Sequence, residues 1–117
     1  MVDAANVVGS VPDGWWRDRA GATARLRDRL VRVAADGVAG LAGPVEVVLV
    51  VEGQARAVPA TEGVRVVSAP RSGDDAIVEL VGGEPSDRTR VVVTADRELR
   101  DRVQRLGASV LGPSALR

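Results

Sequence analysis

Three stretches of this chain, VEVVLVV (45–51), VRVVSA (64–69) and RVVVTA (90–95), are nearly unbroken runs of β-branched apolar residues. A strand with one wet face alternates apolar and polar side chains, so a continuous run requires cover on both faces. Few architectures supply that cover, and the simplest is a parallel sheet between two layers of helices. The two aromatic residues are both Trp, so Val, Leu, Ala and Ile must build the core. At 117 residues the chain reads as one domain over 1–117, large enough to bury about two-thirds of its unfolded surface.

MVDAA (1–5) supplies a fourth, shorter strand. Helical spacing runs through 15–37, where Leu26, Leu30 and Val33 fall at i, i+4 and i+7 and Gly37 or Gly40 provides the stop. Ala76, Ile77, Leu80 and Val81 share one face of a helix over 74–83. Leu99, Val103 and Leu106 do the same over 97–107, with Arg97–Asp101, Glu98–Arg102 and Asp101–Arg105 pairs on the exposed side. The tail ASVLGPSALR reads as a fifth short strand and the start of a last helix, and 52–63 as a loop or a single turn. The expected order is β-α-β-loop-β-α-β-α-β, a mostly parallel sheet of about 4–5 strands with right-handed crossovers.

The missing residue types exclude much chemistry. No His or Cys occurs, which removes the usual zinc sites, thiol nucleophiles and a Ser-His-Asp triad. All 16 basic residues are Arg, so P-loop and Schiff-base lysines are absent, and there is no Tyr nucleophile. Carboxylates, hydroxyls, amides, guanidinium groups and a metal they gather remain. Net charge is zero and the pI about 6.3, so the chain lacks a strongly basic nucleic-acid footprint and salt-sensitive, weak binding is expected unless a homodimer or partner adds positive surface. No apolar run spans a membrane and no basic-then-apolar leader opens the chain, which reads as cytoplasmic.

The acids fall in a pattern. Asp3 closes the first strand, Glu52 follows the second, Asp74 and Asp75 the third, and Asp96 the fourth, with Glu98 two residues on. The carboxyl ends of parallel strands share one edge, where ligands bind in open sheets. Like charges converging there repel unless a cation sits among them, and an oxygen-only set with Asn6, Ser72 and Thr94 nearby suits Mg²⁺ or Mn²⁺. A purely structural reading stands beside this one. Ser72 and Asp75 have capping-box spacing, and Asp96 is placed to cap the last helix. Asp3 has no evident helix start after it, so its burial would need a partner.

VDAANVVGS resembles the D-G-Y-N-hydrophobic opening of NYN domains, a branch of the PIN-like nucleases, and especially of the YacP-like ribonucleases. VVLVVEG, GVRVVSAPRSGDDAIVEL and VVVTADRELRDRVQRLGASVLGPSAL continue the likeness in order over nearly the whole chain. The resemblance implies a PIN-like three-layer α/β sandwich and a divalent-metal, RNA-cleaving site, with single-stranded or structured RNA as partner. It assigns Asp3, Asp74 and Asp96 as metal-binding acids, Asp75 as the second acid of the central pair, and Asn6 as the motif asparagine that orients Asp3 or a phosphate oxygen. Glu52 and Glu98 match as outer-shell groups. Arg71 and Arg97, beside the acids, are candidates for flanking phosphates, with a solvated Arg as the ordinary alternative. Two departures are plain: Gly-Tyr of the opening is Ala4-Ala5, and almost nothing precedes Asp3.

Other readings compete. VVLVVEG followed by VVVTADRE also resembles a Toprim domain, though only in the second half of the chain, leaving Asp3, Asn6 and Asp74 idle. A toxin-type PIN ribonuclease fits VDAANVV and VTADREL, and a non-catalytic PIN-like RNA-binding or interaction module would keep the fold with its acids locked in caps and Arg pairs. Trp15 and Trp16 could stack unpaired bases, but such a pair more often supplies one core contact and one surface cover. Arg25, Arg29 and Arg32 form a helical stripe interrupted by Asp28, as a solvated face would.

Overall fold

In a computed structural model of the protein, residues 1–10, 14–53, 58–85 and 89–116 are described. The apolar runs form the parallel strands β1 (Val2–Asp3), β4 (Val47–Val51), β5 (Val64–Ser68), β6 (Val91–Val93) and β7 (Ser109–Leu111), in the order β5-β4-β1-β6-β7. The chain builds outward from β1 on one side, then returns past it to β6, so β1 lies at the centre, where the order reverses. The remaining strands, β2 (Gly37–Val38) and β3 (Leu41–Ala42), make a small antiparallel hairpin that the sequence pattern did not reveal. Two-residue strands are too short to show a period.

Alternation along β4 explains the continuous run. Val47, Leu49 and Val51 pack with Leu26 and Leu30 of α2 (Arg19–Asp36), while Val48 and Val50 pack with Ile77 and Val81 of α3 (Gly73–Gly83) and Leu99 and Val103 of α4 (Arg97–Arg105). Every residue of β4 is therefore buried. The result is a three-layer sandwich, with α1 (Ala4–Gly9) and α2 over one face and α3 and α4 over the other.

Several expectations shift. MVDAA is not one strand: it pairs only at Val2 and Asp3, and α1 begins at Ala4, so a helix does follow Asp3 directly. The 15–37 helix is divided by Asp18, whose carboxylate accepts from Gly21 N–H at 2.9 Å and caps α2, leaving Trp15–Arg17 as a 3₁₀ turn. Gly37, at φ +86°, ends α2 as expected. Part of the 52–63 loop and the side chain of Trp15 lie outside the described residues. Trp16 is on the surface, 54% exposed, with the Arg17 guanidinium 6.0 Å from its ring centre.

Arg90 ties the α3/α4 layer together. Its guanidinium donates to the Val81 carbonyl at 3.0 Å and to the Leu106 carbonyl at 2.6 Å, near the C-terminal ends of both helices. A cation suits those ends because their carbonyls carry partial negative charge. Arg90→Ala is expected to cost about 1–3 kcal/mol, the range for hydrogen bonds from a charged group. Urea unfolding monitored by circular dichroism would read the loss, and an unchanged midpoint would show that water replaces both bonds.

Candidate functional site

The parallel arrangement brings the C-terminal ends of β1, β4, β5 and β6 to one edge. Asp3, Glu52, Asp74 and Asp96 arrive there on four separate segments. Asp3 is 5% exposed, and successive side chains of a strand point to opposite faces, so Asp3 turns toward α3 while Val2 faces α2.

Thr94 is the pivot of the site. Fully buried just past β6, it donates its hydroxyl to Asp3 Oδ2 at 3.0 Å, while its Oγ1 accepts from Asp96 N–H at 3.1 Å. Asn6 Oδ1 accepts from Ala95 N–H at 2.8 Å and so pins the β6–α4 turn to α1. Asp96 Oδ1 accepts from Leu99 N–H at 3.0 Å and caps α4. The capping reading of Asp96 is therefore met by one of its oxygens, and its charge also acts on Asp74.

Gly73 carries the closest approach. Its N–H donates to Glu52 Oε2. A Cβ on Gly73 would lie 3.1 Å from that oxygen, tighter than ordinary contact, and 3.8 Å from Asp3 Oδ1, so a side chain there would press on the Glu52 carboxylate and leave Asp3 in place. Sequence reading passed over this glycine; the available signal was a Gly wedged between a capping Ser and an acid pair.

The electrostatics record the crowding. Burial pushes the Asp3 carboxyl up to about 6, with the Asp74 and Glu52 charges adding to the rise. The Thr94 hydroxyl opposes it, as does the nearby Asn6 N–H, which closes no capping hydrogen bond. Asp74 is raised as well, first by burial and then by Asp96 and Glu52, against the Arg102 guanidinium. Asp3 and Asp74 therefore feel each other's charge or that of neighbouring acids on the rim, and the Arg102 guanidinium opposes the rise of Asp74.

The other predicted residues divide. Ser72 caps α3, its Oγ accepting from Asp75 N–H at 3.3 Å. The reciprocal half of the capping box does not form, because the Asp75 carboxylate turns to Arg102 at 3.0 Å. That contact also takes Arg102 across to α3, where i, i+4 spacing had assigned it to Glu98. Arg71, Arg97 and Glu98 are exposed, the last two in the first turn of α4. Among the described residues no three carboxylates are gathered closely enough to ligate one ion as the side chains stand. The donor set still has the chemistry of a hard divalent cation: oxygen ligands only, two of them held toward protonation, around a glycine cradle.

The central five-stranded parallel sheet between two helical layers has the architecture of a PIN-like three-layer α/β sandwich. No protein-family model matches the chain, and no curated protein matches it in sequence. Among solved structures, it is similar to a mutant of Rae1 (YacP) from Bacillus subtilis. The TM-score is 0.80 over 98% of this chain and 69% of that one, at 16% identity. At that identity the likeness establishes the fold. Among the described residues no helix is long and apolar enough to cross a membrane.

Proposed function

We propose that this protein is a metal-dependent ribonuclease that hydrolyses RNA phosphodiester bonds at the acidic rim. The observation that carries the reading is the placement of Asp3, Glu52, Asp74 and Asp96 at one edge of the parallel sheet, at or after the ends of four different strands. On a YacP-like fold, such a cluster matches the site that the resemblance to YacP-like ribonucleases implies.

Asp3, Asp74 and Asp96 would hold Mg²⁺ or Mn²⁺, while Asp75, the fourth candidate from the sequence, is paired with Arg102. Bound there, the ion would supply acidity to activate water and positive charge to offset the phosphate. The chain's own residues prepare the place. Thr94 fixes Asp3 by binding Oδ2 and leaves Oδ1 on the side of Gly73. Asn6 and Thr94 together hold the 94–96 turn, so Asp96 enters at a set angle. Hydrolysis joins a water oxygen to phosphorus and breaks the opposite P–O ester bond; the water gives up a proton, the departing oxygen gains one to leave as a hydroxyl, and the site must tolerate added negative charge between the two. An acid rim alone resists that charge, which is why a cation belongs to this reading.

A non-catalytic PIN-like module is the rival. It is favoured by the capping role of Asp96, the Asp75–Arg102 pair and the bond between Glu52 and Gly73. Cleavage of labelled single-stranded RNA with Mn²⁺ by wild type and Asp96→Asn decides between them. Asn caps helices as well as Asp does, so the variant keeps α4. Cleavage that requires Mn²⁺ and disappears in the variant is the expected result. Equal activity in both proteins, or none in either, would put the module reading first.

A further inference from the structure

Beside the acid rim, on the α1/α2 side, lies a cavity of about 420 Å³, within the range of pockets that hold small ligands. Ala4, Ala5 and Val8 of α1 form an apolar wall, and Arg19 and Thr23 of α2 stand next to it. Arg71 and Ser72, from the turn before α3, line the cavity as well. Glu52 belongs to both places: it borders the cavity and its charge raises Asp3 and Asp74 on the rim. Glu52 therefore stands between cavity and rim.

The lining is mixed in a telling way. Two guanidinium groups suit a phosphate, and an apolar wall of small side chains suits a flat ring or a sugar face. The hydroxyls of Thr23, buried at 3% exposure, and of Ser72 add polar partners, of the kind a ribose hydroxyl needs. Glu52 repels a phosphate, so an anionic group is favoured at the Arg19/Arg71 end while the neighbouring phosphate reaches the rim.

We propose that this cavity is a nucleotide subsite, taking the nucleotide next to the scissile phosphodiester of single-stranded RNA. Arg19 and Arg71 receive its phosphate, and the Ala4-Ala5-Val8 wall lies against its sugar and base. The inference rests on the ribonuclease reading and adds the means by which a chain of zero net charge holds its substrate.

The test is fluorescence anisotropy of a short labelled single-stranded RNA in EDTA, where binding is read without cleavage. Arg19→Ala/Arg71→Ala is expected to bind about 10–100-fold more weakly, and its salt slope to fall by about 0.7 for the one phosphate lost. Ala5→Trp fills the cavity without touching its charge, and at least a roughly tenfold loss is expected there too, in the range of the contacts being displaced. Arg100→Ala/Arg105→Ala on the opposite helical layer should bind as wild type does. Equal weakening by that control pair, or normal binding by Ala5→Trp, would overturn the subsite. If wild type binds and cleaves RNA while both cavity variants bind normally, the subsite alone falls. If wild type binds no RNA in EDTA and cleaves none in Mn²⁺, the ribonuclease reading falls with it.

Discussion

Asp3→Asn is expected to cut Mn²⁺-dependent RNA cleavage by about 10²–10³-fold, the range for losing one preorganised electrostatic group, while making the protein harder to unfold at neutral pH. The two effects share a cause. Asp3 is buried, and burial, with Asp74 and Glu52 adding to it, lifts its carboxyl from the ordinary 3.8 to about 6. Between those values the folded state holds a proton that the unfolded state has released. Stability therefore falls as pH rises through this window, and the full penalty is present above the folded value. It amounts to about 3 kcal/mol. Asn keeps an acceptor for the Thr94 hydroxyl and carries no charge, so it escapes the penalty. Urea midpoints for both proteins should nearly coincide at about pH 4 and separate by pH 7, with the variant higher. A variant that is less stable at neutral pH, or that still cleaves, would remove Asp3 from the centre of the site.

Divalent metal should reverse the same penalty in the wild type. Each tenfold rise in free Mn²⁺ above its dissociation constant would add about 1.4 kcal/mol, or roughly 4–8 °C in melting temperature for a chain of this size. The gain should be present at about pH 7–8 and fade toward pH 4–5, where Asp3, raised to about 6, holds a proton that competes with the ion, an effect to which the upward shift of Asp74 adds. Asp74→Asn should lose most of it. Differential scanning calorimetry at stepped Mn²⁺ concentrations reads this without any substrate. A melting temperature indifferent to Mn²⁺ at pH 8 would mean that the carboxylates serve the fold alone, as the non-catalytic module requires.

The comparison of VEVVLVV with MVDAA explains what could be foreseen. A run covered on both faces announces itself, because each of its residues must be apolar whichever way it points; β4 is buried throughout. β1 pairs at only two residues, and its centrality depends on β4 and β6 closing around it. Nothing within 1–5 states this. The same limit hid the β2–β3 hairpin and the helix that starts at Ala4.

For the site, chain order alone put Asp3, Glu52, Asp74 and Asp96 after their strands, and parallel pairing then forces them onto one edge. That much follows from local pattern together with the rule that strand ends align. What each carboxylate does there follows from contacts between residues far apart in the chain. Thr94 reaches back to Asp3 and Asn6 reaches forward to Ala95. Asp75 leaves the rim for Arg102, and Gly73 admits Glu52. Hydrophobic period and strand order are properties of neighbours along the chain, so the layers, the parallel sheet and the acidic strand ends could be read from them. Which acids stand close together, the pairing of Asp75 with Arg102 and the cavity beside them follow from packing. Charge interactions fall off with distance through space, and that distance is set by packing.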